Sequence, residues 1–102
     1  MIGIRRGTTP SHAFRIGIDT ETLDKIEITY AQRGDVKITK TEDDAVISEN
    51  RIAVSLTQEE TFRLSCDVPV SIHVRVKRSD GYVPDTEPIH VPVLPCQSDT
   101  VL

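Results

Sequence analysis

The chain has no tryptophan, only four aromatic residues (Phe14, Tyr30, Phe62 and Tyr82) and no apolar run near the length of a membrane span. Without aromatic bulk, the core must be built from Ile and Val, whose branching at Cβ suits the pleated surface of a strand. The five glycines are singly placed, so nothing matches a phosphate-cradling loop. A nucleophile elbow and a histidine pair at metalloprotease spacing are also missing. Cys66 and Cys96 fit no zinc spacing, and the acidic runs Glu42-Asp43-Asp44 and Glu59-Glu60 lack the regular oxygen spacing that calcium needs. These absences point away from an enzyme and away from any metal or cofactor. The shortage of aromatic platforms disfavours sugar binding as well.

Charge of one sign is scarce too. The net charge is −4 over 102 residues, and basic residues are scattered among acidic neighbours. Binding to a nucleic-acid backbone needs clustered Lys and Arg to displace counterions, so no nucleic-acid partner is expected. Only Arg5, Arg6 and Arg15 face no acid before Asp19. No apolar segment of signal-peptide type follows Arg5-Arg6, so the protein is expected in the cytoplasm, with no membrane partner and with both thiols reduced.

What is present is alternation. Phe14, Ile16 and Ile18 share one face of a strand, as do Ile26, Ile28 and Tyr30, then Val36 and Ile38, with a short strand about Val46. Ile52, Val54 and Leu56 follow, then Phe62 and Leu64. The longest run is Val68, Val70, Ile72, Val74 and Val76, and Ile89, Val91 and Val93 close the series. Period two over so many segments means half-buried strands with one face in a core. Turn residues separate them: Arg33-Gly34-Asp35 and Glu49-Asn50 suit tight hairpins, and Ser79-Asp80-Gly81 opens a longer loop to about Pro84. Thr57-Gln58-Glu59-Glu60 has the form of a capping box for a single helical turn. The pattern predicts an all-β, immunoglobulin-like β-sandwich of about seven to eight antiparallel strands. Residues 1–10 are expected as a flexible N-terminal arm, 11–95 as the sandwich and 96–102 as a C-terminal tail.

Pro88 and Pro92 put their missing N–H groups on one side of the last strand, which predicts a protected edge strand pairing along one side only. A six-residue loop from Ser79 to Pro84 would set His73 opposite His90 on the outer face, as two exposed imidazoles rather than a metal site. Arg33-Gly34-Asp35 spells an integrin-binding tripeptide, and Thr100-Val101-Leu102 has the form of a PDZ ligand. A hairpin turn explains the first, and three terminal residues are too loose a pattern for the second.

Arg6-Gly7-Thr8-Thr9-Pro10-Ser11-His12-Ala13-Phe14, Ile28-Thr29-Tyr30-Ala31-Gln32 and Leu56-Thr57-Gln58-Glu59-Glu60-Thr61 resemble stretches of small virion proteins of phages and prophages of Gram-positive bacteria. The Ile72–Val76 strand and the Asp80-Gly81 turn also fit, while the end from Pro92 to Leu102 departs from that pattern. The resemblance implies an immunoglobulin-like fold and a structural role in a tail, baseplate or capsid surface, without catalytic residues. It implies other virion proteins or further copies of the chain as partners, in a homo-oligomer or larger assembly. The expected location is the host cytoplasm during assembly, then the virion. Ile2 and Ile4, with Arg5 and Arg6 at the rim, are the expected docking residues of the arm, since they precede the alternating pattern. Deleting Met1 to Thr9 would then leave the melting temperature nearly unchanged. The alternative is a small phage-encoded inhibitor that binds a host protein or sequesters a small-molecule signal.

Within the longest strand, Ile72 and Val74 should be buried while His73 and Arg75 are exposed. Ile72→Ala is expected to cost about 2–5 kcal/mol from lost transfer energy and an unfilled cavity, against little for Arg75→Ala. Denaturant titration of the two variants checks the assignment of faces.

Overall fold

The computed structural model describes residues 3–17 and 19–102. Two antiparallel sheets pack face to face. One holds β2 (Ser11–Arg15), β5 (Val46–Ser48) and β6 (Arg51–Ser55) in the order β2-β6-β5. The other holds β3 (Leu23–Gln32), β4 (Asp35–Thr41), β7 (Val70–Arg78) and β8 (Ile89–Val91) in the order β4-β3-β7-β8. Past Pro92 the last strand continues as β9 (Val93–Leu94), which pairs in parallel with β1 (Ile4–Arg5). This is the strand arrangement of an immunoglobulin-like sandwich, and the chain is an all-β protein.

The local signals form as their chemistry requires. Arg33 (φ 52°) and Gly34 (φ 82°) sit between the paired residues Gln32 and Asp35. Two consecutive positive φ values match the right-handed twist of the strands they join. The helical turn α1 (Gln58–Phe62) carries the full capping box: Thr57 Oγ1 accepts from the Glu60 N–H, and the Thr57 N–H donates to Glu60 Oε1. The core lies between the sheets, with Ile28 and Tyr30 of β3 facing Ile52 and Val54 of β6, and Val70 and Ile72 beside them on β7. Ile72 is 1% exposed, on the side that alternation assigns to it.

Three expectations are corrected. The first concerns the N-terminal segment. Ile2 lies outside the described residues, but Ile4 is fully buried within the core cluster. Its N–H donates to the Pro92 carbonyl at 2.9 Å, and the Arg6 N–H donates to Leu94 at 3.0 Å. Both carbonyls are on the proline side of the last strand, so that strand does pair along its second side. Proline removes a donor and leaves the acceptors, and a strand that only donates there can still dock. Gly7, at φ 79°, then turns the chain from one sheet to the other, where an added Cβ would lie 2.7 Å from the Phe62 ring. Residues 3–10 are thus part of the sandwich, and no domain boundary falls at residue 10.

The second correction is on β4. Val36 and Ile38 do not share a face, because Ala31 pairs with Val36 while Tyr30 pairs with Ile38. Lys37 is the extra residue of a β-bulge, which turns Val36 outward (57% exposed) and leaves Ile38 in the core. The third is the β7–β8 register. His90 pairs with Ser71 and Ile89 with Ile72, so His73 and His90 are not opposite each other. The connection runs from Ser79 to Pro88, longer than the six residues expected.

Because Ile4 fills core volume, Ile4→Ala should cost about 2–5 kcal/mol. Deleting residues 1–9 should lower the melting temperature sharply, contrary to the expectation for a free arm. A thermal melt of both chains by circular dichroism checks this.

Candidate binding groove

An immunoglobulin sandwich of the constant type carries four strands in the sheet that contains β2, β5 and β6, the fourth lying beside β2. Here β2 is the end of its sheet, with no strand beside it among the described residues. The β6 ladder takes the Pro10 carbonyl and the Ile16 N–H, which bond to Leu56 and Asn50 respectively, each at 3.0 Å. Backbone groups alternate sides along a strand, so those of Ser11, Ala13 and Arg15 point away from β6. None of them makes a backbone hydrogen bond among the described residues.

Beside this open edge lies a groove of about 560 Å³ between β2 and the segment that returns to β8. Its floor is apolar: Phe14 from β2, Ile16 just beyond it, Val74 from β7, and Ile89 from β8. Phe14, Ile16 and Val74 pack against the core but keep part of their surface open, and Ile89 is 46% exposed. The opposite rim is the segment Pro84–Ile89. His73 and Thr86 fasten that rim to β7: His73 Nε2 lies 3.0 Å from the Thr86 carbonyl, and Thr86 Oγ1 donates to the Val74 carbonyl at 2.5 Å. The side chain expected as half of an exposed imidazole pair is half-buried and holds one wall of the groove in place.

Behind the groove, the inward face of β2 carries His12, buried at 4% exposure. Its Nδ1 is 2.7 Å from the Tyr30 hydroxyl, across the two sheets. Burial pushes the His12 pKa below its ordinary value of 6.5. Burial, with the Glu60 carboxylate nearby, raises the Tyr30 hydroxyl well above the usual range, so it stays protonated. Burial also pushes Glu60 up, but its bonds to Lys40 and Thr57 outweigh this and hold it below 4.5. The Lys40 ammonium donates to Glu60 Oε1 at 2.8 Å, with both side chains nearly enclosed.

The docking residues expected from sequence are not gathered into one surface. Ile4 is core; Arg5 donates to the Pro95 carbonyl at 2.8 Å. Arg6 donates to the Phe62 carbonyl at 3.1 Å, lies over the Phe62 ring and pairs with Asp99. They tie the first strand to the C-terminal segment. No group of His, Cys, Asp and Glu able to hold a metal occurs among the described residues, and Cys66 and Cys96 are unpaired. No described helix is long and apolar enough to cross a membrane. The groove residues Phe14, Ile16, Val74 and Ile89 read as ordinary core positions in the sequence. Alternation tells which way a side chain points and not whether another strand covers it. Comparisons with protein-family models, curated proteins and solved structures find no match.

The burial of His12 gives stability a pH slope of known sign. With its folded pKa below 6.5, His12 is protonated more readily in the unfolded chain. Its contribution is complete above pH 6.5 and is lost as pH falls from there toward the folded-state pKa. Urea midpoints should therefore drop between about pH 7 and about pH 5 for the natural chain, and less for His12→Asn, which does not titrate. The Glu60 contribution is lost only below 4.5 and does not confuse this window. Equal slopes for the two chains would remove His12 as the cause.

Proposed function

We propose that the protein is a non-enzymatic interaction module of a phage or prophage virion, working through protein–protein contacts at the unfinished edge of its sandwich. The observation that carries this reading is the open side of β2 lying beside an apolar groove. An unpaired strand edge is a template for another chain, and an apolar floor gives that chain something to bury. The virion setting rests on the resemblance of residues 6–14, 28–32 and 56–61 to small structural proteins of phages. Tail, baseplate and capsid-surface positions all use such contacts, in homo-oligomers or with neighbouring virion proteins.

Particles purified by density gradient from cells producing the encoding phage should contain the chain at fixed stoichiometry by mass spectrometry. Its presence only in the particle-free lysate would overturn the virion assignment and favour an inhibitor acting on a host protein.

A further inference from the structure

The outward face of the three-stranded sheet ends in two arginines set side by side. Arg15 of β2 pairs directly with Arg51 of β6, so the two side chains leave the same face, and both are exposed. The backbone groups that bond across these strands belong to Pro10, Ile16 and every second residue between them. Arg15 and Arg51 therefore form a non-hydrogen-bonded pair, in which Cα atoms are about 4.5 Å apart and side chains approach most closely. Ser11 and Ser55, a pair of the same kind further along these strands, bring their hydroxyls to 2.8 Å. Ser48 of β5 pairs with Arg51 on its other side, which adds a hydroxyl to the row.

Like charges directly opposite each other destabilise a sheet. Neither arginine is relieved by an ion pair among the described residues, whereas Arg6, Arg33, Arg75 and Arg78 each pair with a carboxylate. Both line a cleft of about 270 Å³ where the end of β2 meets the β5–β6 hairpin, together with Ile16, Gly17, Glu49 and Asn50. An added Cβ at Gly17 would meet nothing within 4 Å, so the cleft is open on that side. Glu49 is the one acid in this lining, and it pairs with neither arginine. One carboxylate against two guanidiniums leaves the cleft net positive, in a molecule of net charge −4. Asp19 and Glu21, which line the next hollow with Glu49, keep the expected affinity modest.

We propose that Arg15 and Arg51 bind a phosphate-type oxyanion, as the free ion or as a monoester, with Ser48 beside it. Each guanidinium presents a planar fork of N–H donors that matches two oxygens of such an ion. A dianion bridging both forks offsets the repulsion between them. A carboxylate brings two oxygens and a single charge, so it satisfies one fork and leaves the other unpaired. The site lies on the outward face of β2 and does not depend on what enters the groove at its inward face.

The test titrates phosphate, glycerol phosphate, acetate and chloride into the full-length chain labelled with nitrogen-15. Ionic strength is held constant at about pH 7.5, where phosphate is mostly doubly charged. Phosphate and glycerol phosphate should shift the amide signals of Arg15, Ser48 and Arg51 saturably and raise the melting temperature. Acetate and chloride should do neither. Tighter binding of the monoester makes an organic phosphate the ligand, and equal or weaker binding makes it the free ion; both orders support the site. Arg15→Gln and Arg51→Gln should each weaken phosphate about tenfold or more. Without phosphate, each should melt no lower than the natural chain, because each dissolves a like-charge pair. Glu49→Gln should tighten binding, and it decides the question if an arginine variant fails to fold. Equal shifts with acetate or chloride would mean ordinary screening and overturn the proposal. So would undiminished phosphate binding in Arg51→Gln, or no gain in Glu49→Gln.

Discussion

Tyr30 rises from the centre of one sheet, and its hydroxyl meets the imidazole of His12 on the other at 2.7 Å. In a chain without tryptophan it is the largest fully buried side chain. A phenol buried to its tip needs a partner there, since an unsatisfied polar group costs about 1–3 kcal/mol. His12 supplies it, and is itself tilted against the Tyr30 ring and edge-on to Phe14. One contact thus fixes the spacing of the sheets and the side of β2 that faces inward. The outward-pointing backbone groups of Ala13 and Arg15, and the position of Phe14 over the groove, follow from it.

Around that pin the sandwich is closed by polar links between distant segments. Gln32, at the end of β3, is buried and satisfied three times: its Nε2 donates to the Ser65 and Val68 carbonyls, and its Oε1 accepts from the Ser65 N–H. Thr61 Oγ1 accepts from the Gly7 N–H at 3.0 Å and also lies 2.9 Å from the Thr8 carbonyl, to which it donates. Lys40 reaches from β4 to Glu60 in α1. Each link crosses a gap that Ile and Val cannot bridge, and each leaves its buried groups paired. Such satisfied contacts specify one arrangement where a purely aliphatic interface tolerates sliding.

The strand edges are treated unequally. The edge of β8 carries Pro88 and Pro92, and where it continues as β9 it is covered by β1. The β4 edge is broken by a bulge at Lys37, and β5 is only three residues long. These are familiar ways of preventing one sheet from extending into another. On β2 there is no proline and no bulge, and Arg15 is the one charged side chain on its outer face. Among the described residues β2 is thus the one long edge left open in a molecule that guards its others.

Much of the fold was legible in the sequence because its causes are local. The pleat imposes period two, so alternation at Ile26-Ile28-Tyr30 and Val70-Ile72 reports strand and inward face directly. The turn at Arg33-Gly34 and the capping box from Thr57 to Glu60 are complete within four residues, and both form as read. The groove was legible only in part: its residues were visible as apolar positions, and its openness was not. Pairing between distant segments decided the rest. The burial of Ile4 depends on acceptors at Pro92 and Leu94, the outward turn of Val36 on a bulge against β3, and the place of His73 on where Thr86 returns. Sequence alone determined the hairpin turn at Arg33-Gly34, the capping box and the inward faces of β3, β6 and β7, because neighbours along the chain set them. Phe62, read with Leu64 as part of a strand, instead lies in α1. Tertiary structure alone decided which edge stayed empty, because that depends on every strand having first found its partner.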